Sequence, residues 1–125
     1  MCIRDRHHCA AYDKDTEISF DTRGGRNSAI RKKGKPVYAR RIDDILAGKA
    51  ATYIKLDVEG QEAAALWGAR ETIANYKPKL LVSAYHRNDD LFCIPQLITG
   101  IRGDYKVFLR HFPYIPAWDT NYYFV

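Results

Sequence analysis

Cysteine is scarce in this chain of 125 residues, with only Cys2, Cys9 and Cys93. They are too few and too scattered for a disulfide framework and point to a reducing, cytoplasmic setting. No apolar run approaches the ~20 residues that a membrane span requires. The start, Met1-Cys2-Ile3-Arg4-Asp5-Arg6, lacks the apolar centre of a signal peptide. It has the look of a non-native leader, so residues 1–8 are set apart from the rest. Repeats and low-complexity linkers are missing too, and the length allows one domain at most. Acid is absent between Arg23 and Arg41, where Arg26, Arg31, Lys32, Lys33, Lys35 and Arg40 concentrate the net charge of +5. Such a run can attract phosphate by counterion release, but it is more often a solvated loop and strand edge. What is present is an ordinary globular mixture, 46% hydrophobic and 28% charged, which excludes disorder.

Residues 9–22 alternate around Ile18 and Phe20, predicting a strand with one buried face. Gly24-Gly25 and Gly34 with Pro36 mark turns, and 37–42 is a second strand. Asp43-Asp44 is placed to cap a short helix, 45–47, which Gly48 ends. Residues 51–56 form a mostly apolar strand, as expected when both faces are covered. Ala63, Leu66, Trp67, Ile73 and Ala74 recur at helical spacing, predicting one helix over 61–76 that Lys77-Pro78 stops. A buried strand at 79–85 follows. Asp89-Asp90 then caps a helix over 91–101, with Pro95 at an early turn. Strands at 105–109 and 122–125 have no helix between them, so they read as an antiparallel hairpin. The fold class is α/β: a mainly parallel sheet with helices on its faces and a C-terminal antiparallel β-hairpin.

The run Tyr53-Ile54-Lys55-Leu56-Asp57-Val58-Glu59-Gly60-Gln61-Glu62 carries the most information. An apolar strand there delivers carboxylates and a glycine to the start of a helix. In open α/β sheets, ligands bind outside the carboxyl ends of the strands. If the strands at 51–56 and 79–85 are parallel, Asp57, Glu59 and His86 leave the sheet at one edge. A co-directional strand at 105–109 adds Arg110 and His111, and the antiparallel last strand returns Asp119 to the same rim. Convergent titratable groups of this kind are the default site hypothesis. The bland alternatives are carboxylates serving only the helix start, a loop histidine, and a surface Arg110–Asp119 ion pair.

The same run resembles the I-K-I-D-V-E-G-x-E signature of the FkbM family of S-adenosylmethionine-dependent methyltransferases. Arg41-Ile42-Asp43-Asp44-Ile45-Leu46 is similar to the family's T-L-D-D segment. Leu66-Trp67-Gly68-Ala69, Lys77-Pro78, Leu80-Leu81-Val82 and His86 follow in the family's order. The ending, Tyr105 to His111 and Trp118-Asp119-Thr120, resembles Y-x-L-Y-L-R-H and T-x-L-Y. Agreement is good over about 37–125 and loose over 9–36.

The resemblance implies a partial class I (Rossmann-like) methyltransferase sheet. It also implies methyl transfer to a hydroxyl of a small molecule, a sugar or secondary metabolite. His86 is then the candidate base. Asp57 and Glu59 would position substrate or balance the sulfonium charge, with Asp57 facing the cofactor. Arg110, His111 and Asp119 would orient the acceptor. No metal is assigned, although Asp57, Glu59 and Asp119 together suit a hard divalent cation. The family's D-x-G-A-N-x-G loop has no counterpart in residues 1–50. Residues 9–125 therefore read as the C-terminal portion of one methyltransferase domain, expected to bind the donor weakly and to be inactive alone.

Two readings of other classes compete. The basic cluster with Tyr38, Phe112, Tyr114, Trp118, Tyr122 and Tyr123 could form a nucleic-acid groove with stacking platforms. His7-His8-Cys9, with Cys93 and His86, could ligate zinc, although no C-x-x-C spacing supports it.

Overall fold

Successive side chains of a strand face opposite ways, so a sheet covered on one side shows alternating burial. The strands at the centre of this molecule do so. The computed structural model describes residues 5–20, 34–113 and 119–125, the side chain of Phe20 excepted. Three strands, β1 (Ala10–Ala11), β2 (Thr16–Phe20) and β3 (Lys35–Arg40), form a small sheet in the order β1-β3-β2. Next come α1 (Ile42–Leu46), β4 (Tyr53–Leu56), α2 (Glu62–Trp67), α3 (Arg70–Tyr76), β5 (Lys79–Ser83) and α4 (Asp90–Ile101). The chain finishes with β6 (Val107–His111) and β7 (Thr120–Phe124). A second sheet has the order β4-β5-β7-β6.

The expected mainly parallel sheet with its C-terminal hairpin is thus found in part, and its strands divide between two sheets. The 9–22 segment breaks into β1 and β2, which flank β3 in the separate sheet, parallel and antiparallel to it. In the main sheet β4 and β5 are parallel, while β7 inserts antiparallel between β5 and β6. Strands β4, β5 and β6 therefore share a direction, and the C-terminal hairpin is present as expected. The turn expected at Gly24-Gly25 lies outside the described residues.

Leu56, Leu80, Val82, Ala84, Tyr122 and Phe124 share one core with Ala65, Leu66, Ala69, Ile73, Ile94 and Ile98 from α2, α3 and α4. Each fully buried Leu, Ile or Phe contributes roughly 1.5–3 kcal/mol. On the intervening positions Tyr53, Lys55 and Phe108 are exposed and Leu81 is half-buried. Among the described residues the helices cover one face, so β4 is not buried on both sides as its apolar run suggested.

The predicted 61–76 helix is two helices, broken at Gly68-Ala69. A Cβ on Gly68 would lie 1.9 Å from the Tyr12 carbonyl oxygen. The bare glycine lets the chain after β1 press against the break. Asp43 does not cap its own helix, since it sits inside the first turn of α1. Its buried carboxylate accepts instead from the Glu71 and Thr72 amides at 3.0 and 2.9 Å and from the Thr72 hydroxyl at 2.8 Å. That is a cap supplied to α3 from another helix. Neither Asp89 nor Asp90 caps α4 by side chain as predicted. Asp89 makes no such bond, and the Asp90 carboxylate turns back to the Arg87 amide at 3.0 Å.

Candidate functional site

β4 ends at Leu56 and the backbone reverses soon afterwards. The Gln61 amide donates to the Val58 carbonyl at 3.2 Å. Between them Glu59 and Gly60 take φ of +53° and +93°, the signs of a type I′ turn. Glycine adopts such angles freely, whereas glutamate there is strained. Strain of this kind persists only where surroundings impose it, and it clusters at working sites.

β5 runs parallel to β4 and ends at Ser83, so the residues that follow it meet that turn. His86 is the centre of the meeting. Its Nδ1 lies 2.7 Å from Glu62 Oε1. Its Nε2 lies 3.5 Å from Asp57 Oδ1 and 3.4 Å from Glu59 Oε2. The imidazole is 11% exposed and the Glu62 side chain 0%, while Asp57 and Glu59 are 44% and 35% exposed. Glu62 Oε1 also accepts from the Val58 amide at 3.0 Å. Its Oε2 is buried without a hydrogen-bond partner among the described residues.

Tyr85 stacks beside His86 with ring centroids 4.2 Å apart, and its hydroxyl lies 3.4 Å from Asp57 Oδ1. Burial raises the pKa of that hydroxyl most, followed by the charges of Asp57 and Glu59, the Asp57 hydrogen bond and the charge of Asp119. Asp57, Glu59 and Asp119 thus all place negative charge toward the lip. Arg87, the nearest cation in sequence, pairs outward with Asp89 at 3.3 Å. Donor atoms of Asp57, Glu62 and His86 lie within 4.8 Å of one another, a mixed carboxylate and imidazole set that could ligate a divalent cation.

Of the residues singled out in the sequence, Asp57, Glu59 and His86 are brought into contact. Asp119 opens β7 at the same rim with φ of +60°. Arg110 and His111 are not loop residues beyond β6, because that strand begins two residues later than predicted and contains both. The Arg110 guanidinium donates to the Leu109 carbonyl at 2.9 Å and lies over Phe108. His111 Nδ1 is 2.9 Å from Thr120 Oγ1. With β5 and β7 between, β6 stands about 14 Å from β4 at ~4.8 Å per strand. Neither side chain joins the His86 cluster.

Glu62 and Tyr85 were missed. An acid at the start of a helix is ordinary, which masked Glu62 although it closes the informative run. Tyr85 read as strand core.

The two competing readings lose ground. Tyr122 is core and Tyr123 half-buried, so that part of the aromatic tail is no stacking platform. Tyr114, Trp118 and the basic residues between Arg23 and Lys33 lie outside the described residues. His86 is engaged with Glu62, and Cys93 Sγ is 3.9 Å from Asp89 Oδ2. Among the described residues Asp57, Glu62 and His86 are the one group placed to hold a metal, so the zinc reading of His7-His8-Cys9 is not supported. Nor, among them, is any helix long and apolar enough to cross a membrane.

Comparison with known proteins shows the family. The family described as Methyltransferase FkbM domain matches residues 4–119. The crystal structure of methyltransferase FkbM from Methylobacillus flagellatus KT is similar, with 39% identity and a TM-score of 0.79. The match covers 95% of this chain and 28% of that one. No protein of curated function matches the chain.

Proposed function

This chain belongs to the FkbM methyltransferase family, and from that premise we propose that it forms part of an S-adenosylmethionine-dependent O-methyltransferase. Residues 9–125 form the C-terminal portion of a methyltransferase domain acting on a hydroxyl of a sugar or secondary metabolite. One observation carries the reading. His86 Nε2 stands at the carboxyl end of β5, 3.4–3.5 Å from two carboxylates at the end of β4.

S-adenosylmethionine, when bound, supplies an electrophilic methyl group on a sulfonium, whose transfer leaves a neutral thioether. The described residues fit a cation of that kind by charge, since the field that raises the Tyr85 hydroxyl comes partly from Asp57, Glu59 and Asp119. Asp57, half-exposed at the strand end, is the residue we place nearest the donor. His86 accepts the proton of the acceptor hydroxyl at Nε2 as the oxygen–methyl bond forms. A neutral imidazole suits that transfer near neutral pH. Glu59 and Asp57 hold the acceptor and then stabilise the imidazolium. Much of the rate comes from holding oxygen and methyl carbon in line. Arg110 and His111 serve the far end of an elongated, polyhydroxyl acceptor, since β6 is too distant for the reacting oxygen, and Asp119, just before β7, holds the acceptor nearer the lip. The free thiols of Cys9 and Cys93 support a reducing, cytoplasmic setting.

The test is transfer of an isotopically labelled methyl group in the protein carrying this segment, with polyhydroxyl acceptors supplied. The expected product holds the label in an alkali-stable ether. Label in a base-labile ester, or on nitrogen, would contradict the reading.

A further inference from the structure

Glu62 has no part in the scheme above, yet it makes the shortest contact in the cluster. We propose that Glu62 is the positioning residue that fixes the tautomer of His86 and turns its basic nitrogen toward the lip. The proposal rests on reading His86 as the base.

Glu62 Oε1 receives the Val58 amide N–H at 3.0 Å, so it is an acceptor. A carboxylate oxygen only accepts, so with Glu62 ionised the nitrogen facing it at 2.7 Å, His86 Nδ1, carries a hydrogen. A neutral ring protonated at Nδ1 has a bare lone pair at Nε2. That is the nitrogen lying between Asp57 and Glu59.

Without Glu62 the ring would settle the other way. Asp57 and Glu59 are carboxylates 3.5 and 3.4 Å from Nε2 and would accept a hydrogen from it. The lone pair would then sit on Nδ1 and face the protein interior, where no acceptor hydroxyl can reach it. Glu62 wins this competition by distance and by burial. It is closer than either rival, and its side chain is 0% exposed while theirs are 44% and 35%. Away from water a hydrogen bond to a carboxylate is stronger. With Oε2 left without a partner, the carboxylate leans on Val58 and His86 alone. When Nε2 takes a proton, the imidazolium then has an acceptor at each end. The hydrogen bond made by one ring nitrogen setting the role of the other is a general property of histidine.

The experiment reads the His86 ring nitrogens by NMR in this chain, with the ring neutral. Wild type is expected to show Nδ1 protonated and Nε2 bare. Glu62→Leu is expected to invert the ratio toward Nε2–H. Glu62→Asp, which withdraws the carboxylate by one methylene, serves the same purpose should the leucine variant not fold. In the methyl-transfer assay the same variants lower kcat about 100-fold with acceptor KM nearly unchanged. A wild-type ring protonated at Nε2 overturns the assignment, as does a variant ring still protonated at Nδ1. Full-rate transfer by His86→Ala would instead remove the base reading, and the tautomer measurement would be untouched by it.

Discussion

The Tyr122 hydroxyl donates to the carbonyl oxygen of Leu91 at 2.7 Å, and Leu91 is the acceptor that Pro95 abandons. In an α-helix the amide of residue i bonds the carbonyl of i−4, and proline has no amide hydrogen. Pro95 lies inside α4, so β7 lends the helix the donor it lacks. Tyr122→Phe should therefore cost about 1 kcal/mol by denaturant titration. In a Pro95→Ala background the cost should shrink, because the helix regains its own donor. Equal costs in both backgrounds would show that the two residues are uncoupled.

Gly68 tests how closely the two sheets are tied through the α2–α3 break. Its added Cβ would meet a backbone oxygen, not the end of a flexible side chain. Gly68→Ala should lower stability by about 1–3 kcal/mol as the chain at Tyr12 is displaced. A unchanged urea midpoint would mean that the contact yields freely.

Glu59 predicts a conflict between stability and function. With φ at +53°, Glu59→Gly should raise stability by about 0.5–1 kcal/mol through relief of strain. The same change removes a carboxylate from His86 and should slow methyl transfer. A variant that is both more stable and equally fast would deny Glu59 any role.

Asp90 gives the acid side of the stability profile a definite sign. Burial raises its pKa most, the Glu62 charge adds to the rise, and the Arg87 amide opposes it. A carboxyl raised in the folded state holds its proton where the unfolded chain has lost it. Its stabilising contribution is full below the unfolded value of about 3.9 and is lost as pH rises through the folded value. Asp90→Asn keeps an oxygen for the Arg87 amide and cannot ionise. Relative to wild type, the variant should gain stability between pH 3 and pH 7 in urea titrations. A pH-independent difference would contradict the assignment.

The sequence was most legible where a local pattern and a global constraint coincide. The acid run after an apolar strand, with a histidine after the next strand, placed Asp57, Glu59 and His86 together because parallel neighbours release their ends at one edge. The hairpin was legible from the missing helix between its strands. Residues whose partners are distant in sequence were not. Asp43 looked like a local cap, yet its amide partners lie in α3. Gly68 falls inside the single helix predicted over 61–76, and the approach of Tyr12 at the break is not written in the local pattern. Glu62 reads locally as a first-turn acid, and only the packing of the following strand sets His86 against it. Arg110 and His111 moved into β6 because strand ends are set by pairing with β7, not by composition.

The proposed methyl transfer turns on His86 acting at Nε2, and His86→Ala in the protein carrying this segment tests that most directly. Single-turnover methyl transfer should fall by about 10²–10⁴-fold, while the affinity for S-adenosylmethionine, measured alongside, stays nearly constant. Transfer at the wild-type rate would contradict it.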